Sequence, residues 1–303
     1  RAPLGASILD RDIRIAMRHP QGLQAILAGK RTDVAIIGLG GAERPWNLSV
    51  RPIGKGRSLV RLTDRSAAIA AERMRVDFVA NASHELRTPL ATISGFAETL
   101  AEDGPLDEKA RRRFGATIHQ ESARMLRIIE DLMGLSRIEA DRFVAPNDAI
   151  DLVAIAHIAA QQTAALSERK GCVVEVDGEE EKLMVTGDHA QLLQVADNLI
   201  SNALRYGCGP NAATIRVEVR SERGRGVFRV IDQGDGIAAD HLPRVTERFY
   251  RVDPARSRDS GGTGLGLAIV KHIVERHRGN LDIRSRPGEG TTVEVRLPLA
   301  DHH

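Results

Sequence analysis

The sequence is poor in cysteine and aromatic residues and has no long apolar run. Its 303 residues include two cysteines, one tryptophan and 3% aromatic side chains. Cys172 and Cys208 lie far apart without a CxxC pair, which argues against a disulfide framework or a structural zinc site and favours a reducing compartment. No window reaches the roughly 18 uninterrupted apolar residues of a membrane helix, and the chain opens without a signal-peptide pattern. We therefore expect a cytoplasmic region, whose membrane attachment would come only through a segment absent from this chain.

An excess of charge of one sign is also lacking. The 43 basic and 41 acidic residues leave a formal net charge of +2. This balance does not provide the basic footprint of a nucleic-acid-binding protein, so we expect no nucleic-acid partner. The length and the hydrophobic content of 42% allow more than one core, which predicts two or three domains.

Three regions follow one another along the chain. Residues 1–65 mix short helical and strand patterns separated by Gly and Pro, which indicates a small α+β module. Residues 66–145 are helical apart from a break at "EDGPLDEK" and predict a helical hairpin. Its second arm carries apolar residues at alternating three- and four-residue steps, interrupted by Glu121: Phe114, Ile118, Met125, Ile128, Leu132 and Leu135. Because two such helices cannot cover each other's apolar faces, we expect a homodimer that completes a four-helix bundle.

Residues 150–300 return to a mixture of strands and helices. Strand patterns in "CVVEVDG", "KLMVTGD", "ATIRVEVRS" and "GVFRVIDQGDGI", and later in "LDIRSR" and "TTVEVRLP", alternate with the helices "HAQLLQVADNLISNALRYG" and "GLGLAIVKHIVERH". This order predicts a sheet covered by helices on one face. The fold class expected for the whole chain is therefore multidomain α+β.

Glycines cluster at two places in the third region. "GGTGLGLAIV" sets Gly262, Gly264 and Gly266 directly before a helix, where backbone N–H groups could face phosphates. It is neither a Walker A loop nor a dinucleotide fingerprint, and alone it is equally well explained as a flexible turn. "DQGDGI" offers Asp232 as a fixed acceptor beside two glycines, or simply forms a hairpin turn; those glycines are Gly234 and Gly236.

Two asparagines interrupt an otherwise apolar helix pattern. In "DNLISNALRY", Asn198 and Asn202 are four residues apart and share one helix face, with Arg205 a further turn along. Asparagine is a poor residue for a helix interior, so an aligned pair usually serves as caps or ligands. Amide oxygens are hard ligands that suit a Mg²⁺ ion already carrying phosphate oxygens.

In this order, the three elements resemble the N, G1 and G2 boxes of the GHKL ATP-binding fold. Histidine kinases, type II topoisomerase ATPases, Hsp90 chaperones and mismatch-repair ATPases share this fold. "ERFYRVD", with Phe249, resembles the F box that the kinases add. The resemblance implies that the chain binds ATP and Mg²⁺, with Asn202 holding the metal and Asn198 beside it. It also implies a lid over residues 251–260 and further nucleotide contacts from Arg205 near the phosphates, Tyr206 against the adenine, and Asp232 on its amino group.

The stretch "NASHELRTPLA" then selects among these families. A zinc-protease HExxH motif fails here, because position 88 is Thr88 instead of a second histidine. A lone helical histidine is usually an ordinary surface or core residue. "SHELRTPL", however, resembles the H box of the HisKA class of sensor histidine kinases, on the first helix of the hairpin and upstream of the ATP-binding region. The sequence as a whole resembles phosphate-regulon sensor kinases in particular, although no single residue carries this resemblance. Residues 1–65 resemble a PAS sensor domain.

This resemblance implies a chemical role for each H-box residue. His84 is the phosphoacceptor, since a neutral imidazole keeps a nucleophilic lone pair near neutral pH. Glu85 accepts the proton of the other ring nitrogen, and Thr88 orients the water that dephosphorylates a partner. Pro89 removes a helical hydrogen bond and is expected to mark a kink.

The sequence thus predicts the cytoplasmic region of a sensor histidine kinase, from an inner-membrane protein of a bacterium. It would phosphorylate His84 from Mg·ATP and pass the phosphoryl group to an aspartate of a cognate response regulator, which it would also dephosphorylate. Two alternatives stay open: a GHKL ATPase in which ATP drives a clamp, and a PAS-bearing scaffold with a degenerate kinase. An H box upstream of the N box argues against the clamp, and intact boxes argue against degeneracy.

Overall fold

The computed structural model describes residues 12–39, 43–102, 106–140, 144–178, 181–208, 214–253 and 262–300, apart from the side chains of Arg75 and Ala140. The chain folds as two compact units that divide between Ser83 and His84. Within the described ranges, no helix is long and apolar enough to cross a membrane.

The first unit contains a three-stranded antiparallel sheet in the order β1-β2-β3. Its elements are α1 (Ile13–Ala16), α2 (Pro20–Ala28), β1 (Thr32–Ile37), β2 (Pro45–Gly54) and β3 (Arg57–Asp64). Helix α2 begins where His19 accepts a hydrogen bond from the Gly22 N–H, with Pro20 as its first residue, and ends at Gly29 in the left-handed conformation.

The core of this unit lies between α2 and the sheet. In the first six residues of β2 every second residue is buried, because alternate side chains of a strand point to the same face: Trp46, Leu48 and Val50. Trp46 also donates its indole N–H to the Leu39 carbonyl at 2.7 Å. The predicted short helices and strands are confirmed, whereas the assignment to the PAS domains stays a prediction.

Two long helices form the predicted hairpin, α3 (Ser66–Ala101) and α4 (Glu108–Ala140). Helix α3 continues through Pro89, which is buried. The rings of Phe96 and Phe114 lie 4.9 Å apart and join the two arms. On α4 the predicted stripe contains the buried Ile128 and Leu135.

The region after the hairpin is built on a five-stranded sheet in the order β5-β7-β8-β10-β9. Its strands are β5 (Val173–Gly178), β7 (Thr214–Glu222), β8 (Arg225–Asp232), β9 (Asn280–Arg286) and β10 (Gly290–Pro298). Strands β5 and β7 are parallel and the other neighbours antiparallel. A separate antiparallel pair is formed by β4 (Asp148–Asp151) and β6 (Met184–Gly187).

Four helices described in this region are α5 (Leu152–Gln162), α6 (Ala164–Lys170), α7 (His189–Tyr206) and α8 (Gly266–Arg276). Ile215, Val217 and Val219 of β7 are buried while the residues between them are not, as expected for a sheet covered on one face. Helix α7 begins where Asp188 accepts from the Gln191 N–H. The α+β class and the predicted strands are confirmed; α5 and α6 were not anticipated.

The expectation that the two cysteines stay unpaired is wrong. Cys172 and Cys208 form a disulfide, with their Cα atoms 6.2 Å apart. Helices α6 and α7 pack together, which brings the residue before β5 next to the second residue after α7. Spacing in the sequence carries no information on this proximity.

Candidate nucleotide site and histidine motif

A cavity of about 430 Å³ lies between α7, the start of α8, the end of β8 and one side of α4. Most of the residues predicted to contact nucleotide line it: Asn198, Asn202, Arg205, Tyr206, Asp232, Gly236, Gly262, Gly264 and Gly266. Gly234 and Phe249 are not among its lining residues. The fold therefore gathers side chains from separate sequence motifs around one space large enough for a small ligand.

The two asparagines of α7 face the first residue of α8. A Cβ atom at Gly266 would lie 3.1 Å from the Asn198 Oδ1 atom and 3.8 Å from the Asn202 Nδ2 atom. Glycine at this position therefore lets the backbone at the start of α8 approach both amides. Backbone N–H groups at this helix start and the side-chain amides of both asparagines meet at one end of the cavity, where a phosphate group with a hard cation would fit.

Asp232 lies at the end of β8 with a constrained carboxylate. Its Oδ1 atom accepts hydrogen bonds from the backbone N–H groups of Gly234 at 2.9 Å and Thr291 at 3.2 Å. Burial raises the pKa of this carboxyl, although the two hydrogen bonds act in the opposite direction. Both bonds fall on one oxygen, so Asp232 can present its other oxygen to a ligand in the cavity.

Gly234 acts behind the cavity instead of lining it. A Cβ atom there would lie 2.4 Å from the Tyr206 carbonyl oxygen, so glycine allows this turn to rest directly on the end of α7. Gly236 adopts a φ of 70°, in the left-handed region, and a Cβ atom there would lie 1.9 Å from the Arg286 carbonyl oxygen. The turn after β8 thus depends on glycine at both positions.

Phe249 also supports the cavity from outside. Its φ of 63° is unusual for a residue with a side chain, and its N–H donates to the Gly264 carbonyl at 2.8 Å. This bond fixes the glycine loop that precedes α8. The next four residues, 250–253, do line the cavity; the remainder of the predicted lid, residues 254–260, lies outside the described residues.

Residues of α4 form a part of the wall that the sequence analysis missed. Arg127, Glu130 and Asp131 line the cavity, and Asp131 accepts a hydrogen bond from the Thr263 hydroxyl at 2.7 Å. Burial raises the pKa of Asp131. Burial, followed by the charge of Arg127, lowers the pKa of Arg205. The four-residue spacing of Arg127 and Asp131 showed a shared polar face, but nothing in it indicated which loop that face contacts.

The H-box residues lie in different environments on α3. His84 and Thr88 are exposed, and the Thr88 hydroxyl donates to the His84 carbonyl at 3.3 Å. Glu85 is half-buried and accepts from Arg124 at 3.2 Å and from Arg251 at 2.8 Å. Among the described contacts, Glu85 makes none with the His84 ring. Arg251 therefore links the cavity wall to the residue beside His84.

The fold and the assembled cavity define a nucleotide-binding domain joined to a phosphoacceptor hairpin. Residues 74–141 match the His Kinase A (phospho-acceptor) domain. Residues 187–301 match the histidine kinase-, DNA gyrase B- and HSP90-like ATPase domain. The chain therefore belongs to the histidine kinases, as the sequence predicted.

Relatives with similar sequences are named as a sensor protein and a sensor-like histidine kinase. The chain is 37% identical over 239 residues to the phosphate regulon sensor protein PhoR of Pseudomonas aeruginosa, covering 79% of this chain and 53% of PhoR. It is 38% identical over 241 residues to the sensor-like histidine kinase SenX3 of Mycolicibacterium smegmatis, covering 80% of this chain and 62% of SenX3. The chain thus spans a little over half the length of these relatives.

A solved structure shows the same fold. Full-length ShkA, in complex with AMPPNP, superposes with a TM-score of 0.55 at 24% identity, covering 76% of this chain and 46% of ShkA.

Proposed function

We propose that the chain uses Mg·ATP to phosphorylate His84 and passes the phosphoryl group to an aspartate of a response regulator. The observation that carries this proposal is the contact between Arg251 and Glu85 at 2.8 Å. Arg251 lies in the wall of a cavity that gathers the ATP-box residues, and Glu85 is the neighbour of the exposed His84. A nucleotide in this cavity would therefore be held near the phosphoacceptor helix.

The residues around the cavity fit ATP and its metal ion. Asp232 can accept the adenine amino group at one end, and backbone N–H groups at the start of α8 can bind phosphate at the other. Asn202 would hold Mg²⁺, with Asn198 beside it, because amide oxygens are suitable ligands for this hard cation. When bound, Mg²⁺ neutralises phosphate charge. The protein's own contribution is to position the γ-phosphoryl group in line with a nitrogen of His84.

Glu85 completes the proposed mechanism as the base. Its carboxylate is bound by Arg124 and Arg251 in the structure, and among the described contacts it makes none with the His84 ring, so the side chain must turn toward that ring before it can accept its hydrogen bond. We propose that this movement accompanies phosphoryl transfer. Once Glu85 holds the proton on one ring nitrogen, the other nitrogen keeps its lone pair for attack.

The proposed partners are a second copy of this chain and a response regulator. Leu126, Ile129 and Met133 of α4 are 43–58% exposed, and a second hairpin would cover them. We further propose that Thr88 assists dephosphorylation of the regulator.

The proposed domain limits are 1–65 for the PAS-like module, 66–145 for the hairpin and 150–300 for the ATP-binding domain. The names of the relatives as sensor proteins support a cytoplasmic region of a bacterial inner-membrane sensor.

Labelling with γ-labelled ATP and Mg²⁺ tests the proposed reaction. The wild type should take up label that is lost in acid, because a phosphoramidate is acid-labile, whereas a phosphoester on Ser83 or Thr88 is not. His84→Gln should bind nucleotide and take up no label. His119→Gln, which changes another exposed histidine of the hairpin, is the matched control and should be labelled normally. Acid-stable label would refute His84 as the phosphoacceptor, and ATP hydrolysis without any labelled protein would favour a clamp ATPase instead.

A further inference from the structure

The disulfide includes Cys208, two residues beyond the end of α7, the helix whose asparagines line the nucleotide cavity. Cys172 and Cys208, which are the two cysteines of the sequence, are joined across a separation of 36 residues. The loop closed by this bond includes all of α7, and with it both asparagines of the cavity. One covalent bond thus ties the end of this helix to the residue that precedes β5.

The end of α7 rests on the turn that carries Asp232. A Cβ atom at Gly207 would lie 2.4 Å from the Asp232 Cβ atom, and one at Gly234 would lie 2.6 Å from the Gly207 Cα atom. The backbone of Gly207 is therefore in direct contact with the residue expected to bind adenine. Cys208 is its immediate neighbour, so any displacement of Cys208 is transmitted to Asp232 through a single residue.

The other end of the disulfide is fixed in place. Cys172 is 6% exposed, its N–H donates to the Ser167 carbonyl at 3.1 Å, and the Ser167 hydroxyl donates to the Cys172 carbonyl at 2.5 Å. Cys172 therefore serves as an anchor, and the half-buried Cys208 is the accessible partner. Reduction would release Cys208 from this anchor while leaving Cys172 held by its backbone hydrogen bonds.

We propose that Cys172 and Cys208 form a redox-modification site that sets the affinity of the cavity for nucleotide, with a protein dithiol as its reductant. This inference rests on the proposed ATP binding. The disulfide holds Gly207 against Asp232, so the oxidised cavity is pre-organised and binds more tightly. The reduced form must order the end of α7 on binding and binds more weakly. Disulfides in reducing compartments are usually transient and redox-sensing.

The chemical step is thiol–disulfide exchange. A thiolate of the dithiol attacks the Cys208 sulfur, the S–S bond breaks, and Cys172 leaves as a thiolate that takes up a proton. The second thiol of the reductant then attacks the mixed disulfide and releases Cys208. Two electrons and two protons pass from the dithiol to the chain, and the dithiol leaves as a disulfide.

Calorimetry with Mg·AMPPNP on oxidised and dithiothreitol-reduced protein tests the inference. Reduction should weaken binding by the wild type at least threefold, without loss of secondary structure by circular dichroism. Cys208→Ser should bind like the reduced wild type under both conditions. Cys172→Ser, the matched variant at the anchored end, should behave in the same way, because either substitution removes the bond.

Three results would overturn the inference. The first is equal affinity of the oxidised and reduced wild type. The second is a thiol titration that finds two free thiols after treatment with a disulfide-forming oxidant, since the bond would then not form in solution. The third is a response of Cys208→Ser to reductant. If neither redox form binds Mg·AMPPNP, the proposed nucleotide site fails and this inference fails with it, which the other outcomes would not produce.

Discussion

At the scale of single residues, α7 contributes the side-chain amides of Asn198 and Asn202 to the cavity wall. Asparagine does not favour helix formation, so these residues are not explained by the helix alone. Asn202 lines the cavity, whereas His189, at the start of the same helix, is exposed and is not a lining residue. Asn202→Ala should weaken Mg·ATP binding about tenfold or more, which corresponds to roughly 1.4 kcal/mol. The variant should stay folded, because alanine favours helix more than asparagine does. His189→Ala is the control. Unchanged affinity of Asn202→Ala in calorimetry would refute the proposed metal ligand.

Thr88 offers a way to separate the two proposed activities. Its hydroxyl donates to the His84 carbonyl at 3.3 Å and can still accept a hydrogen bond from water. Thr88→Ala should keep most autophosphorylation and lose most regulator phosphatase activity. Thr92 makes the same kind of bond to the Thr88 carbonyl at 3.2 Å one turn further on, so Thr92→Ala controls for the loss of such a bond. Loss of autophosphorylation with phosphatase activity intact would show that the role proposed for Thr88 is wrong.

At the scale of elements, two glycines of neighbouring turns, one after β8 and one between β9 and β10, share a backbone conformation but differ in the space around them. Gly236 and Gly288 have φ values of 70° and 78°. A Cβ atom at Gly236 would lie 1.9 Å from a carbonyl oxygen, whereas one at Gly288 would meet nothing within 4 Å. Gly288→Ala should lower the free energy of unfolding by about 1 kcal/mol, the cost of the left-handed conformation.

Gly236→Ala should lower it by roughly 3 kcal/mol or more, because the backbone must also shift. Urea unfolding of the two variants measures the difference directly. Similar losses in both would mean that the turn after β8 can relax, and that the close packing of this strand end is not required.

His277 connects the end of α8 to the start of α7. Its Nε2 atom accepts from the Asp188 N–H at 2.9 Å, and its Nδ1 atom lies 2.8 Å from the Ile273 carbonyl. Burial lowers the pKa of His277 below its ordinary value of 6.5. The unfolded chain therefore binds a proton before the folded chain does, and stability should fall as the pH drops below about 6.5.

This pH dependence can be assigned with histidine variants. The free energy of unfolding of the wild type should be lower at pH 5.5 than at pH 7.5, and the difference should shrink in His277→Asn. His272, whose pKa burial also lowers, accounts for part of the remaining difference. His189→Asn, at an exposed position, should keep the wild-type difference. An undiminished difference in His277→Asn would contradict the assignment.

At the scale of the whole molecule, the exposed apolar residues of α4 support assembly with a second copy. Ile129 is 43% exposed and lies between Leu126 and Met133 along the helix. Ile129→Asp should shift the protein from dimer to monomer in light scattering, because a charge cannot be buried there without a partner. Gln120, nine residues earlier and about half a turn out of phase, is exposed, so Gln120→Asp should stay dimeric. A dimeric Ile129→Asp variant would place the interface elsewhere.

The sequence by itself determined the long helices of the hairpin together with α7 and α8, most strands and the box motifs. These features depend only on residues close together in the sequence. Apolar periodicity defines α4 and α7, and glycines occur at the turns because few other residues adopt the backbone conformations that these turns require. Helix α5 was missed because its alanine-rich, largely apolar sequence gives little contrast between two faces. The resemblance of the box motifs to the GHKL ATP-binding fold, and not the local patterns, predicted which residues would share the cavity.

The tertiary structure alone decided the contacts between distant segments. Glu85 binds Arg124 and Arg251, 39 and 166 positions away, and Asp131 binds Thr263 across 132 positions. The disulfide and the contact of α4 with the cavity are also contacts between segments that are distant in the sequence. A charged or thiol side chain has no local preference that reveals its partner, since its environment is set only when packing brings a second segment within a few ångströms. The sequence therefore shows which charged residues and cysteines are present, but it does not show which distant residues they contact.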